Sequence, residues 1–275
     1  MKPVIKYQGG KTREIKTITR MMPKQFNRIV EPFCGGAAVS FNFEKPSVLS
    51  DSNSMVINLY KVLQSDDYVH VLNRIDTIKS YDHDALQEAF YDARNVINNP
   101  QDFTPLIQAI SYIIVRQLCF SGMERYNAKG EFNVPFGHYK KMGCNLTSDH
   151  HTFLSNTIID HGDFEVALNH ANSDDFVFID PPYLDRLGYH SGDGGEVHSR
   201  LAEILKNASY KWMIVHSDHE FYREQYKSFH IMTKDFQYAQ RFGKDKDHAG
   251  ASVQHLYITN YEPVHELAQG RLPLP

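Results

Sequence analysis

The 275-residue chain is predicted to adopt an α/β fold, a doubly wound Rossmann-like sheet with an inserted, mostly helical subdomain. Two patterns predict this fold. Short runs of strand-forming residues end in turn residues, and they lie at 28–30, 47–50, 157–159, 176–179, 211–215 and 255–258. Apolar residues recur at helical spacing from about residue 58 to residue 119. A helical block that interrupts alternating strands and helices is typical of an insertion at the edge of such a sheet.

The local sequence predicts the elements in order. Residues 28–30 form the first strand, and the glycine turn after it leads into a helix that contains Val39. In the inserted block Pro100 and Pro105 separate the helices, because proline ends or begins a helix more readily than it continues one. Residues 106–118 form a further, largely buried helix.

The composition indicates one soluble, enzyme-sized unit. Hydrophobic residues make up 41% of the chain and aromatic residues 12%, which is enough to fill a core. No run approaches the roughly 18 apolar residues of a membrane helix, since the best candidate, residues 110–115, is stopped by Arg116. There is no signal-peptide pattern, and the scattered Cys34, Cys119 and Cys144 suit free thiols. We expect a cytoplasmic protein, or one in the host cytoplasm if the source is viral.

The most informative motif is Asp180-Pro181-Pro182-Tyr183, which directly follows the apolar run 176–179. A strand of this kind delivers its last residues to the carboxyl edge of a sheet, where α/β proteins bind ligands. The prolines restrict the backbone and present the Asp180 carboxylate and the Pro181 carbonyl as acceptors. These acceptors suit the planar amino group of a heterocycle, and the Tyr183 ring offers a face on which that heterocycle can stack. A tight turn after a buried strand is the structural alternative.

A second candidate site follows the first strand. Gly35 and Gly36 form a turn that allows the backbone to approach a ligand closely. Asp51 lies about 20 positions beyond Glu31, where nucleotide-binding folds place the carboxylate that binds a ribose diol. The turn lacks the third glycine that seats a pyrophosphate, so the pattern favours S-adenosylmethionine over NAD.

Two other binding chemistries are disfavoured. Gly9-Gly10-Lys11-Thr12 is not a phosphate loop, because Ile5 stands where that loop requires glycine, so Lys11 is left as a candidate at the edge of an adenosine site. Fifteen histidines raise the question of a metal site, yet the chain has no H-E-x-x-H and no C-x-x-C. The pair His150-His151 has only Cys144 nearby, and we expect no metal.

Basic and aromatic residues alternate between residues 125 and 141. The net charge of −4 and the pI of about 6.4 do not by themselves indicate a nucleic-acid-binding protein. The residues concerned are Arg125, Tyr126, Lys129, Phe132, Phe136, Tyr139, Lys140 and Lys141. Interleaved cations and rings can contact phosphates and bases together, and a solvated loop with buried rings is the alternative.

Five segments together resemble the Dam-type (class alpha, D12) DNA adenine-N6 methyltransferases. They occur at 6–11 (KYQGGK), 31–36 (EPFCGG), 51–53 (DSN), 125–137 (RYNAKGEFNVPFG) and 180–183 (DPPY). The resemblance extends from Lys6 to about Tyr261, and its most family-specific part is the block 125–137. It implies transfer of a methyl group from S-adenosylmethionine to N6 of adenine in double-stranded DNA.

Carried over by position, the resemblance assigns residues to three roles. Catalysis is assigned to Asp180, Pro181, Pro182 and Tyr183. Cofactor binding is assigned to Tyr7, Lys11, Phe33, Gly35, Asp51, Asp163, Phe164 and Asp180. DNA binding is assigned to Lys6, Phe120, Ser121, Met123, Arg125, Asn127, Pro135, His138 and Tyr139. The chain is expected to be a monomer or a weak dimer, and a restriction endonuclease partner is left open.

The resemblance also gives the predicted domains their roles. Residues 1–58 and 152–265 form the methyltransferase domain, and residues 266–275 form a tail. Residues 59–151 form a helical target-recognition domain with a DNA-reading loop at 119–141. The glycine-rich segment 188–195 is predicted to be a lid. Two residues depart from the family pattern, since Glu124 puts an acid beside Arg125 and His138 stands where a fixed cation is usual.

The chemistry implied for the motif is amino-group methylation. The adenine amino nitrogen is a poor nucleophile, and acceptors at Asp180 and Pro181 favour its pyramidal, reactive form. A paired base cannot reach such a pocket, so the adenine must flip out and stack on Tyr183. Arg125 is suited to guanine, and we expect a target of GATC or a site that contains GAT. The alternatives are an amino-group methyltransferase for RNA or protein, and a catalytically inactive DNA-binding relative.

Overall fold

The computed structural model describes residues 1–184, 194–237 and 252–263, and its strands form one seven-stranded sheet. The strands are β1 (Ile29–Glu31), β2 (Ser47–Asp51), β3 (Thr157–His161), β4 (Phe176–Ile179), β5 (Lys211–Ser217), β6 (His230–Gln237) and β7 (Ser252–Thr259). Their order is β3-β2-β1-β4-β5-β7-β6. β2 with β3, β1 with β4, and β4 with β5 pair in parallel, whereas β7 is antiparallel to β5 and β6. The predicted α/β fold is confirmed, because the order reverses on either side of β1 as in doubly wound sheets.

The described residues contain ten α-helices. They are α1 (Ile15–Met21), α2 (Ala38–Phe43), α3 (Ser54–Gln64), α4 (Tyr68–Lys79), α5 (His83–Asn98), α6 (Pro105–Leu118), α7 (Ser148–Leu154), α8 (Phe164–Leu168), α9 (Gly194–Lys206) and α10 (Glu220–Gln225). The predicted helical block is present as α3 to α6. It begins earlier than predicted, because the Asn53 side chain accepts hydrogen bonds from the backbone of Met55 and Val56 and so caps α3. The predicted buried helix is α6, which has Pro105 in its first turn behind the capping residue Thr104.

The sequence did not predict the strand β6 or the helices α1, α7, α8, α9 and α10. The helix α7 has only seven residues, which is too short for a clear apolar period. The strand β6 carries polar and charged residues and lies at the edge of the sheet, where it pairs along its whole length with β7. Its conformation therefore depends on partner residues 15 to 29 positions further along the chain.

The chain forms two compact units, one from Met1–Ile15 with Glu31–His170 and the other from Lys16–Val30 with the residues after His170. In the first unit, Leu59, Phe90 and Ile113 are fully buried among α3, α5 and α6. In the second unit, Trp212 is fully buried and its indole nitrogen donates to the Leu205 carbonyl at 3.0 Å. The predicted domain boundaries at 59–151 stay a prediction.

Some predictions concern segments outside the described residues. The tail at 266–275 lies there entirely, and so does the lid at 188–195, apart from its last two positions, which begin α9. Among the described residues, no helix combines the length and the hydropathy of a membrane-spanning segment. The three cysteines are free thiols.

An ion pair joins the segment before β1 to the segment before β4, and it gives a test of the fold. Arg28 donates to both oxygens of Asp175, at 3.1 and 2.7 Å, and the Asp175 side chain is fully buried. Removal of the guanidinium leaves a buried carboxylate that keeps the Asn172 N–H as a donor. We expect Arg28→Ala to lower the free energy of unfolding by about 2–3 kcal/mol in urea titrations. The control, Arg20→Ala at an exposed position, should change it by no more than about 0.5 kcal/mol. Equal losses of stability in Arg28→Ala and Arg20→Ala would show that the ion pair of Arg28 with Asp175 does not stabilise the fold.

Candidate functional site

The glycine turn between β1 and α2 packs against the ring of Tyr7. Gly35 has a φ of +44°, and a Cβ at this position would lie 2.6 Å from Cε1 of Tyr7. A Cβ at Gly36 would lie 3.1 Å from the Tyr7 Cβ. The two glycines are therefore required by the close approach of the tyrosine, which places one predicted cofactor residue directly on another.

The carboxylate of Asp51 ends β2 and organises the same turn. Its Oδ2 accepts from the Gly35 N–H at 2.8 Å, and its Oδ1 accepts from the Asn53 N–H at 2.9 Å. Burial raises the pKa of Asp51, and the two backbone hydrogen bonds oppose that rise. Each oxygen has a second lone pair, so the fixed carboxylate can still accept from a further donor such as a hydroxyl.

Three more predicted cofactor residues of the first unit are Asp163, Phe164 and Phe33, of which the first two come shortly after β3, the strand paired with β2. β3 pairs in register with β2, and the Gly162 N–H donates to the Asp51 carbonyl at 3.1 Å. The next residue, Asp163, caps α8 by accepting from the Glu165 N–H. Phe164 then stacks on Phe33, with ring centroids 5.5 Å apart and an interplanar angle of 22°.

Lys11 lies in the N-terminal segment of the same unit. It begins a short 3-10 helix, Lys11–Arg13, and only 2% of its surface is exposed. Its Nζ donates to the Gly9 carbonyl at 2.9 Å. A buried ammonium group that binds a glycine carbonyl braces the segment that carries Tyr7.

The predicted DNA-reading loop, residues 119–141, is braced by short antiparallel contacts. Cys119 pairs with Phe136 and Tyr126 pairs with Phe132. Phe132 and Phe136 are buried, whereas Tyr126 is 48% exposed and Phe120 is 51% exposed. The alternating rings thus serve two purposes, because some fill the core and others remain on the surface.

Polar side chains shape this loop around Arg125. The Arg125 guanidinium is exposed and donates to the side-chain oxygen of Asn133 at 2.7 Å and to its carbonyl at 3.1 Å. Asn127 folds the adjoining turn, since its Oδ1 accepts from the N–H groups of Lys129 and Glu131 at 2.9 and 3.0 Å. Asn127 therefore has a structural role in the loop, and its predicted contact with DNA stays a prediction.

The remaining predicted DNA-binding residues surround the same loop. The ammonium of Lys6 lies 4.2 Å from the ring centroid of Tyr139 and donates to the Gln117 carbonyl at 2.8 Å. Burial lowers the pKa of Lys6. Ser121 and His138 have positive φ angles of 55° and 54°. Pro135 is exposed and Met123 is half-buried.

Sequence reasoning missed Arg116, which is 99% buried at the end of α6. Its guanidinium donates to the carbonyls of Lys6, Gly122 and Met123 at 3.0, 3.1 and 3.1 Å. It also lies 5.6 Å from the Tyr7 ring centroid. The available signal was one cation at the end of an otherwise apolar run, which predicts a buried charge with several acceptors.

The structure explains the unusual acid Glu124. Its carboxylate accepts from the Tyr126 hydroxyl at 2.9 Å and lies 3.5 Å from the Arg116 guanidinium. Its backbone N–H donates to the Gln8 side chain at 2.8 Å. Because 19% of the side chain is exposed, most of this negative charge is directed into the protein rather than toward Arg125 and the loop surface.

The predicted catalytic motif, residues 180–183, lies in the second unit. Asp180 follows β4 and is half-buried, Pro181 is buried, and Pro182 is exposed. The half-buried Tyr183 ring contacts His216 and His255 edge-on, with centroids 4.8 and 5.8 Å apart. Two imidazoles therefore support the Tyr183 ring, which is predicted to stack on the base.

Within residues 1–184, 194–237 and 252–263, no three side chains of His, Cys, Asp or Glu are grouped so that they can hold a metal ion.

The chain is similar in sequence to several known methyltransferases. The chain is 33% identical over 273 residues to the type II methyltransferase M.CviBI of Paramecium bursaria Chlorella virus NC1A, which covers 95% of this chain and 100% of the relative. It is 31% identical to the type II methyltransferase M.MjaIII of Methanocaldococcus jannaschii, over 84% of this chain and 90% of the relative. It is 30% identical to the DNA adenine methylase of Escherichia coli K12, over 74% of each chain.

The model of one protein family matches residues 7–240, which include the glycine turn, the reading loop and the Asp-Pro-Pro-Tyr motif. Its members act on DNA, which does not support the alternative of an RNA or protein substrate. The chain belongs to the D12 class N6 adenine-specific DNA methyltransferases and is a site-specific, adenine-specific DNA methyltransferase.

Proposed function

We propose that this enzyme binds S-adenosylmethionine in its first unit and methylates a flipped-out adenine within GATC or a site that begins with GAT. The observation that carries the proposal is the pair of organised groups described above. The first unit holds a fixed carboxylate beside a glycine turn and two stacked rings. The second unit holds Asp-Pro-Pro-Tyr at the end of a buried strand.

The first group fits the adenosine part of the cofactor. Asp51 retains acceptor capacity for a ribose diol, because each oxygen accepts one backbone hydrogen bond and has a second lone pair. The Phe33 and Phe164 rings offer apolar surface to a flat heterocycle, and Tyr7 supports the turn beneath them. When bound, S-adenosylmethionine supplies an electrophilic methyl group.

The second group fits the acceptor base. The Asp180 carboxylate and the Pro181 carbonyl accept the two hydrogens of the adenine amino group, which concentrates the nitrogen lone pair for methyl transfer. Tyr183 stacks on the base after it leaves the duplex. The nitrogen loses its extra proton after transfer, so the chain needs no strong general base.

The reading loop fits a guanine next to the target adenine. Asn133 holds the Arg125 guanidinium by two hydrogen bonds, which pre-orients a planar donor on an exposed surface. Such a donor reads O6 and N7 of guanine in the major groove. The exposed ring of Phe120 is available to fill space near the flipped base, and Pro135 to pack against a base edge. Mapping of N6-methyladenine in unmodified genomic DNA treated with the enzyme tests the site directly.

The first variant tests the acceptor carboxylate. We expect Asp180→Ala to reduce single-turnover methyl transfer by at least about a thousandfold, because a positioned acceptor contributes several kcal/mol to the transition state. Cooperative unfolding should remain. The control is Asp174→Ala, an exposed carboxylate shortly before β4, which should keep full activity. An Asp180→Ala protein with more than a few per cent of the wild-type rate would refute the assigned role.

The second variant tests Asp51 through pH. The carboxylate form is required for the ribose contact, and its raised pKa means that protonation begins at a higher pH than for an ordinary aspartate. Cofactor affinity should therefore fall as the pH decreases from 7.5 toward 5. Asp51→Ala should bind about 1.5–3 kcal/mol more weakly at pH 7.5. Calorimetry measures the cofactor affinity of wild type and of Asp51→Ala across this pH range. Ionisation of the cofactor itself affects both proteins equally, so only the difference between their pH profiles reports on Asp51. Identical pH profiles would rule out the ribose assignment.

The third variant tests base reading. We expect Arg125→Ala to lower discrimination at the guanine by about 1–3 kcal/mol, while methylation of non-cognate DNA slows much less. The control is Lys141→Ala, which removes an exposed cation from the same loop and should weaken binding to all sequences alike. Both are compared on duplexes with each base at the guanine position. If Arg125→Ala keeps the wild-type preference, Arg125 does not read this base.

A further inference from the structure

Two buried histidines lie behind the predicted catalytic motif. His198 on α9 is 3% exposed and His216 on β5 is fully buried. Their rings meet edge-on, with centroids 5.7 Å apart. Imidazoles are costly to bury unless their nitrogens have partners, so the partners indicate what the rings do.

Both rings bind the backbone of the catalytic motif. A hydrogen bond with the Pro182 backbone contributes to the pKa of His198, and its acceptor is the carbonyl, since proline has no N–H to offer. The Leu184 N–H donates to Nε2 of His216 at 3.4 Å. The two contacts are made by the residue immediately before Tyr183 and by the residue immediately after it.

The hydrogen bonds select one neutral form of each ring. The His216 Nδ1 lies 2.8 Å from the Ser217 carbonyl, so Nδ1 carries the proton and Nε2 is free to accept from Leu184. The His198 Nδ1 lies 2.6 Å from the Tyr222 hydroxyl, which donates to it and leaves the other nitrogen to donate to Pro182. Burial lowers the pKa of His198 to about 4, which keeps this form near neutral pH.

The histidines also support the Tyr183 ring itself. His216 contacts that ring edge-on and stacks on Tyr222 with centroids 4.0 Å apart and an angle of 26°. Tyr222 is fully buried and holds His198 through its hydroxyl. Backbone and ring of Tyr183 are thus connected to the same packed group of His198, His216 and Tyr222.

We propose that His198 and His216 are positioning residues for methyl transfer, which fix the backbone on both sides of Tyr183 and thereby the orientation of the ring that stacks on the flipped adenine. The inference rests on the stacking role proposed for Tyr183. Neither histidine needs to touch the base or the cofactor, because both act through the motif. Their effect is expected on the rate of transfer and on the stacked state of the base, rather than on binding.

Two tyrosines form a matched pair for the test. Tyr222 and Tyr226 are both fully buried, and their rings lie 5.8 Å apart at an angle of 16°. The Tyr222 hydroxyl binds His198, whereas the Tyr226 hydroxyl has no hydrogen-bond partner among the described residues. Tyr222→Phe and Tyr226→Phe therefore remove the same atom from the same core, and only the first removes a contact to the positioning histidine.

The rate is measured in a single turnover on a duplex that contains the mapped target site. We expect Tyr222→Phe to slow transfer about five- to tenfold, the effect of one lost hydrogen bond, and Tyr226→Phe to leave it unchanged. Affinities for duplex and for S-adenosylmethionine should stay within twofold of wild type in both. A second readout uses 2-aminopurine at the target position, whose fluorescence reports whether the flipped base is stacked. Tyr222→Phe should raise that fluorescence above the level of wild type and of Tyr226→Phe.

The second arm replaces His216. His216→Gln keeps an acceptor for the Leu184 N–H, whereas His216→Leu does not. We therefore expect His216→Gln to transfer methyl groups faster than His216→Leu and to quench the 2-aminopurine fluorescence more fully than His216→Leu does. If His216→Leu does not fold, the tyrosine pair alone decides. Equal rates and equal fluorescence in Tyr222→Phe and Tyr226→Phe would overturn the inference. Tyr183→Ala separates this failure from that of the proposed function, because an unchanged rate and probe signal there would show that Tyr183 does not stack on the base.

Discussion

The guanidinium of Arg116 is the interaction on which the first unit depends most. It is buried and permanently charged, so it requires acceptors on every side. It finds them in the carbonyls of Lys6, Gly122 and Met123 and in the nearby carboxylate of Glu124. One side chain thereby joins the N-terminal segment that carries Tyr7, a predicted cofactor residue, to the start of the predicted DNA-reading loop. Loss of this charge would leave several buried carbonyls without a donor at once.

Buried polar contacts also support the predicted catalytic motif. Prolines restrict the backbone of residues 180–183 but cannot donate hydrogen bonds, so neighbouring groups must hold the turn from outside. Buried imidazoles meet this need, because a neutral histidine both donates and accepts. His198 and His216 use these two capacities on opposite sides of Tyr183. Stiff local covalent structure and tertiary hydrogen bonds are combined where methyl transfer demands accurate orientation.

Most of the fold and the family could be predicted from the sequence, because local patterns encode them. The strands β1 to β5 and β7 were visible as short apolar runs, and α3 to α6 as apolar periods between prolines. The glycine turn was identified, but not the ring of Tyr7 that requires it. Glu124 looked out of place beside Arg125, since its contact with Arg116 joins residues that no local pattern connects. Asn127 was assigned to DNA by its place in a motif, whereas its side chain folds its own turn.

The sequence by itself determined the α/β fold, the family and the reaction class. These properties are encoded in local apolar periods and in short motifs such as Asp180-Pro181-Pro182-Tyr183, whose chemistry follows from residue types alone. Only the tertiary structure decided which side chains serve those motifs. Asp51 reaches Gly35 across 16 positions, Arg116 reaches Lys6 across 110, and His216 reaches Leu184 across 32. Such contacts depend on how elements pack, and buried polar groups select their partners by proximity in space rather than in sequence.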